Sequence, residues 1–269
     1  MKQVGLFSAR GTDRPPLVVA YGLGVDSTAM LIALHQRGIR PDLILFADTL
    51  GEKPDTYLYA PIMRQWLRDV GFPQFEVVRY VPPVAPYDSL YGNCWQNETL
   101  PGLAFRKASC LIKWKRQPQD RYVGTWGPAR ECWDSGSKVR KLIGFEAGEE
   151  RRRYGDQGDD PKYDYWYPLI DWGMDREACR RLIADTGLPV PVKSACFYCP
   201  ACKQHEIAAM AETSPDLLAK ALALERRYRD GRHFRADDAT AVQGLGIRFA
   251  WDDYLRAGER QMRLDDARD

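Results

Sequence analysis

Val18-Val19-Ala20-Tyr21-Gly22-Leu23-Gly24-Val25-Asp26-Ser27-Thr28 decides the fold. Leu17 to Tyr21 is short, β-rich and fully apolar, the pattern of a strand buried on both faces of a parallel sheet. Thr28 to Arg37 follows with Ala29, Met30, Ile32, Ala33 and Leu34 at helical spacing, and Gly38 stands where such a helix would end. Glycines in the intervening turn let the backbone approach a ligand, and the free amides of a helix start carry partial positive charge. The turn therefore favours a phosphate. An ordinary strand-to-helix connection uses the same residue types, so its meaning depends on what lies around it.

Working outward, Leu43 to Ala47 reads as a second buried strand, and Asp48-Thr49-Leu50-Gly51-Glu52 as the loop at its C-terminal end. Pro54 opens a helix reaching Val70, which Pro61 divides or bends, and Phe75 to Val81 is a third strand. The order β-α-β-α-β predicts an α/β, Rossmann-like parallel sheet with helices on both faces, in which the Gly22 turn and the Asp48 loop face one crevice. Pro82 to Leu103 reads as an irregular excursion, Lys107 to Trp126 as partly helical, Val139 to Phe145 as a strand and Arg152 to Asp164 as a charged loop. Asp175 to Thr186 is an amphipathic helix, and helices over Gln204 to Ala211 and Pro215 to Arg229 predict a helical C-terminal region. The expected organisation is a lead-in over 1–16, a nucleotide-binding domain over 17–203 and a helical extension over 204–269.

At 269 residues and 45% apolar content, the chain can bury the core of one large domain. A net charge of +2 excludes bulk electrostatic attraction to nucleic acid or a membrane surface. No segment is long and apolar enough to span a bilayer and the N-terminus lacks a signal-type stretch, so no membrane association and a cytoplasmic location are expected. Seven cysteines then call for metal ligation, catalysis or plain buried thiols rather than secretory disulfides.

Cys196-Phe197-Tyr198-Cys199-Pro200-Ala201-Cys202 sets three thiols at two-residue gaps, a spacing that can converge on one centre. A fourth ligand must come from elsewhere, with Cys110 the first choice and His205 a lesser one. Four thiolates suit a [4Fe-4S] cluster or a tetrahedral zinc, and the compact triplet with one distant cysteine favours the cluster. Cys94, Cys132 and Cys179 are isolated and read as plain thiols. Asp26 and Asp48, at strand ends, can hold Mg²⁺ bridged to phosphates or bond a ribose hydroxyl; helix capping and turn formation are their structural alternatives. Basic residues gather at Arg106, Lys107, Lys113, Lys115 and Arg116, at Lys138, Arg140 and Lys141, and at Arg151 to Arg153, where they can clamp a triphosphate or form a solvated face.

Together these segments resemble the phosphoadenosine phosphosulfate (PAPS) reductase-like family of the adenine-nucleotide alpha-hydrolase, or PP-loop, superfamily, whose sheet is of the HUP type. The resemblance rests on Gly22-Leu23-Gly24-Val25-Asp26-Ser27 at the Ser-Gly-Gly-x-Asp-Ser loop and on Phe46-Ala47-Asp48-Thr49 with Glu52. Cys110 to Lys115, Ile143-Gly144-Phe145-Glu146 with Glu149 to Arg151, Tyr167-Pro168-Leu169 and Lys193 to Pro200 complete it. It implies an ATP site formed by Tyr21, Gly22, Leu23, Gly24, Val25, Asp26, Ser27, Thr28, Ala47, Asp48, Thr49, Gly144 and Glu146, with Mg²⁺ and cleavage at the α-phosphate. The catalytic roles fall to Asp26, Ser27, Asp48, Lys113 and Arg151, and the cluster to Cys110, Cys196, Cys199 and Cys202.

Two departures refine the expectation. Gly22 replaces the usual loop serine and Val25 a frequent lysine, so Lys113, Lys115 or Arg151 is expected to supply the missing phosphate contacts. Sulfonucleotide reductases carry a nucleophilic cysteine near the C-terminus, whereas this sequence has none after Cys202. The resemblance then implies an ATP pyrophosphatase that adenylates a substrate for sulfur incorporation, as in DNA phosphorothioation, beside a cysteine desulfurase and other sulfur-modification proteins. Nucleic acid is expected to be reached through those partners. A sulfonucleotide reductase using an external thiol and a nucleotide-binding scaffold are the alternatives.

Overall fold

The computed structural model describes residues 14–84, 86–154, 160–235 and 241–266; most of the expected lead-in lies outside them. Strands β1 (Leu17–Tyr21), β2 (Leu43–Ala47), β3 (Phe75–Val78), β4 (Val139–Ile143) and β5 (Tyr163–Trp166) form one parallel sheet in the order β3-β2-β1-β4-β5. This is the expected α/β, Rossmann-like architecture. The chain winds from β1 outward to β3, then returns to place β4 on the other side of β1. The order thus reverses between β1 and β4, where Ala20 pairs with Ile143, and the ends of these two strands flank the natural ligand crevice of such a sheet.

The helices are α1 (Val25–Gln36), α2 (Pro54–Asp69), α3 (Leu90–Gln96), α4 (Ser109–Leu111), α5 (Gln117–Thr125), α6 (Gly127–Asp134), α7 (Pro168–Asp171), α8 (Arg176–Asp185), α9 (Gln204–Thr213), α10 (Pro215–Arg229) and α11 (Trp251–Asp266). The two-residue period of the strands sorts the core into two layers. Val19, Tyr21, Ile44 and Phe46 pack with α1, α2 and Ile183 of α8 on one face. Val18, Leu43, Leu45 and Val139 pack with Val123 of α5 and Ala129 of α6 on the other. A third core lies off the sheet, where α3, Trp114, the cysteine segment, α9, α10 and α11 meet. There the buried carboxylate of Glu225 accepts N–H groups from Leu245 at 2.6 Å and from Trp251 and Asp252 at 2.9 Å, which satisfies free amides at the start of α11 and ties it to α10.

Four local expectations change. Helix α1 starts at Val25 rather than Thr28, because Gly24 takes the extended cap conformation and its carbonyl accepts from Thr28 N–H at 3.0 Å. The excursion after Pro82 contains α3, whose first turn is capped by Ser89 Oγ accepting from Gly92 N–H. Helix α2 continues through Pro61. The segment read as a charged loop ends inside β5, an edge strand that pairs with β4, so that Tyr163 and Asp164 belong to the sheet.

Candidate functional site

The turn after β1 is tightly built. Leu23, fully buried, adopts a left-handed backbone (φ 56°), a conformation rare for a branched residue, and it brings Gly24 to the start of α1. Ser27 Oγ accepts from Gly22 N–H at 3.2 Å and lies 3.3 Å from Gly24 O, so the hydroxyl closes the turn on itself. Tyr21 and Thr28 share a hydrogen bond between their hydroxyls at 3.1 Å. Gly144, just after β4, crosses this helix start so closely that a Cβ would stand 3.0 Å from Ser27 Cα and 3.1 Å from Ser27 N. A glycine suits this close approach of two backbones.

Beside this turn, at the point where the strand order reverses, opens a crevice of about 640 Å³. Ala20, Ile143, Phe145, Leu111 and Ile112 supply apolar wall, and Phe145 is stacked on Tyr167 with ring centroids 5.6 Å apart. Four cationic side chains line it as well: Lys115, Arg116, Lys141 and Arg152. Each has a carboxylate partner, Lys115 with Glu52 at 2.7 Å, Arg116 with Asp120 at 3.4 Å, Lys141 with Asp120 at 2.6 Å and Arg152 with Glu149 at 2.6 Å. Burial lowers the pKa of Lys141 despite its partner; at Lys115 burial is again the largest single influence, but Glu52 together with Cys196 and Cys199 outweighs it and raises the pKa. Lys115 and Arg116 reach the crevice from a π-helical turn, Ile112–Arg116, between α4 and α5.

The structure brings only some of the expected residues to this crevice. Tyr21 and Gly22 line it. Lys113 lies in a different cavity, and Arg151 is exposed on the surface of the Ala147–Tyr154 segment. Glu146 turns back to accept from Gly148 N–H at 2.7 Å. Asp26 points to α8, where Oδ2 pairs with Arg176 at 2.8 Å while Oδ1 is buried without a hydrogen-bond partner. Desolvation, with Glu146 and Glu149 nearby, raises its pKa to about 6 against the opposing Arg176. An orphaned carboxylate oxygen of this kind fits Mg²⁺, which takes few carboxylates and completes its shell with phosphate oxygens and water.

Asp48 is different. Its Oδ1 accepts from Leu50 N–H and Tyr57 OH, each at 2.8 Å, and its Oδ2 accepts from Arg79 Nε at 3.1 Å and Nη2 at 2.9 Å. With both oxygens doubly bonded, the carboxylate braces the loop after β2. That loop, continuing from the buried Ala47, holds the cysteine segment: Glu52 forms a bridge with Cys196, Phe197 N–H donates to Gly51 O, and Thr49 Oγ1 lies 3.2 Å from Cys196 Sγ. Ser194 reaches across to Gly24, where a Cβ would lie 3.1 Å from its own.

Cys110, Cys196 and Cys199 line a second, small cavity of about 110 Å³, and Lys115 lines this one too. Cys202 is buried one turn further on, its N–H donating to Cys199 O. Burial pushes Cys202 up to about 11 and raises Cys196 and Cys199. The donor set suits zinc or an iron–sulfur cluster, but as arranged no three His, Cys, Asp or Glu side chains among the described residues converge as metal ligands.

Of the basic residues expected to meet phosphate, Lys115 lines the crevice and Lys113 lines a different cavity, and in the third basic cluster Arg152, beside Arg151, is the residue that reaches the crevice wall. The period of β4 was a usable signal for Lys141, which shares the buried face with Val139. Arg79 and Tyr57 carried no signal.

The fold and the crevice define an α/β protein with a phosphate-favouring turn at its topological switch point. No family model and no curated protein matches the chain. Among solved structures it is similar to the "U34-tRNA thiolase NcsA from Methanococcus maripaludis with its [4Fe-4S] cluster", at 12% identity over 91% of this chain and 81% of that one, with a TM-score of 0.39. No helix among the described residues is long and apolar enough to cross a membrane.

Proposed function

We propose that the crevice binds ATP and that the protein releases pyrophosphate from it, adenylating a substrate that then accepts sulfur. The observation carrying this reading is Lys115, which lies in the wall of both the crevice and the three-thiol cavity. The family resemblance of the Gly22 turn supports it. So does size, since the crevice volume falls within the several hundred Å³ usual for small-ligand sites.

The adenine lies on the apolar wall of Ala20, Ile143 and Phe145, and the phosphates lie toward the start of α1. An oxygen nucleophile of the substrate attacks the α-phosphorus; the bond to the β-bridging oxygen breaks, and pyrophosphate leaves with its electron pair. The amides of the first turn of α1, together with Lys115, Arg116 and Arg152, stabilise the charge that develops on the leaving group. Asp26 Oδ1 would hold a Mg²⁺ ion carried by the phosphates, which supplies further charge neutralisation. Asp48 acts as a brace. The thiols of Cys110, Cys196 and Cys199 stand beside the crevice as the sulfur-handling side of the protein, loaded by a partner such as a cysteine desulfurase. DNA phosphorothioation is the process this reading favours.

Product analysis on purified protein with ATP and Mg²⁺ tests it. Pyrophosphate and AMP are expected, and an Arg116→Ala variant should bind ATP at least tenfold more weakly. Absence of both products together with unchanged affinity in that variant overturns the reading, and sulfite from a sulfonucleotide would replace it with reduction by an external thiol.

A further inference from the structure

Beside Cys110, and sharing no lining residue with the crevice, lies a cavity of about 470 Å³ lined by residues of α3, the 3₁₀ turn Gly102–Phe105, α4 and the segment after α10. Its charge differs from that of the crevice. Lys107, Lys113 and His233 line it, and no Asp or Glu does. Every crevice cation has a carboxylate partner, whereas neither Lys107 nor Lys113 has one among the described residues. Lys113 Nζ is held instead over aromatic faces, 5.0 Å from the ring centre of Tyr80 and 5.9 Å from that of Trp114, contacts that position an ammonium without cancelling its charge. Hydrogen-bonding groups of Asn93, Thr99 and Ser109 share the wall with the thiols of Cys94 and Cys110. Cys110 also lines the cavity holding Cys196 and Cys199.

We propose that this cavity is a second anion site, separate from the nucleotide crevice, which holds an oxyanion-bearing substrate of nucleotide size against Cys110. Uncompensated lysines in a concave, partly apolar wall favour an anion that brings its own charge, and the volume admits a phosphate with an attached ring. That the occupant is the acceptor, meeting the thiols at Cys110, rests on the function proposed above. The anion site itself does not. A free mononucleotide or oxyanion and a phosphodiester within a nucleic-acid strand offer the same chemistry, and experiment separates them.

Binding is measured with inorganic sulfate, a pyrimidine mononucleotide and a single-stranded oligonucleotide in separate arms, each with a saturating non-hydrolysable ATP analogue present. At least one arm should bind the wild-type protein and lose tenfold or more in Lys107→Glu and in Lys113→Ala, with Lys113→Arg recovering to within threefold. The ATP analogue should bind Lys107→Glu within twofold of wild type. Binding in the sulfate or mononucleotide arm identifies a free small ligand, and binding confined to the oligonucleotide identifies a strand. Absence of binding in every arm, or binding indifferent to both substitutions, overturns the proposal. If the ATP analogue fails to bind while the lysine-dependent binding persists, the nucleotide reading fails and the second site stands.

Discussion

Lys115 Nζ lies 2.7 Å from Glu52 Oε1, and Lys115 stands in the wall of both the crevice and the thiol cavity. The Glu52 side chain is fully buried, its Oε2 has no hydrogen-bond partner, and its backbone bridges to Cys196. One carboxylate thus positions a crevice cation through its side chain and the cysteine segment through its main chain.

Removing one partner of this pair should cost more than removing both. Lys115→Met leaves a buried carboxylate without its counter-charge, and such losses cost about 3–5 kcal/mol. The double variant Lys115→Met with Glu52→Gln should recover a large part of it. Urea unfolding of the two variants and the wild type checks this, and a single variant within about 1 kcal/mol of wild type contradicts it.

The glycines of the site divide by what surrounds them. A Cβ at Gly144 meets the backbone of Ser27 at 3.0 Å, so Gly144→Ala must push β4 and α1 apart. A loss of about 1–3 kcal/mol is expected, with nucleotide affinity falling at least tenfold as the helix start moves. At Gly22 the nearest atoms to an added Cβ are 3.7 Å away, an ordinary contact distance. Gly22→Ser, which restores the hydroxyl usual in the resembling loop, should fold like wild type and bind nucleotide no more weakly. Calorimetry on both variants separates the two positions; a tolerated Gly144→Ala would show that the crossing is loose.

The sheet was legible because its strands are short, continuous apolar runs and its first turn carries glycines, and both are local signals. What decides the site is less local. The π-helical turn Ile112–Arg116 adds a residue per turn and breaks the 3.6-residue phase, so spacing alone could not show that Lys115 rather than Lys113 faces the crevice. The bracing contacts of Asp48 were not legible, because nothing nearby in sequence announces Arg79 and Tyr57 as its partners. Strand β5 was hidden because it is an edge strand whose outward Asp164 pairs with Arg140 at 2.7 Å, so its composition resembles the charged segment before it.

Asp26 should make stability depend on pH in a defined direction. Its folded pKa of about 6 stands above the unfolded value of 3.8, so the folded state binds the proton more tightly. The ionised carboxylate therefore costs stability above pH 6, and that cost disappears as pH falls toward 4. The full difference is on the order of 3 kcal/mol. Without nucleotide or Mg²⁺, wild type should gain stability relative to Asp26→Asn between pH 7 and pH 4. Parallel profiles for the two proteins would show that Asp26 does not titrate in this window. With Mg²⁺ and nucleotide the sign of the preference reverses, because the metal favours the ionised carboxylate, and affinity should fall below pH 6 in wild type alone.

The thiols make the last prediction, because the cavity distinguishes them. Cys110, Cys196 and Cys199 share one wall while Cys202 lies outside it, one backbone turn away. A thiolate-bound metal or cluster assembled there should need the first three. After anaerobic reconstitution with iron and sulfide, or separately with zinc, Cys110→Ser, Cys196→Ser and Cys199→Ser should each retain little metal, and Cys202→Ser a substantial fraction. Visible absorption near the charge-transfer bands of iron–sulfur centres separates the two loadings, and circular dichroism verifies that each variant folds. Equal loss in all four variants would mean that the cysteine segment rearranges on binding to bring Cys202 inward, and undiminished metal in all four would remove the site from these residues altogether. Loading should also release protons, since burial holds Cys196 and Cys199 as thiols in the free protein, so uptake should strengthen as pH rises from 6 to 8.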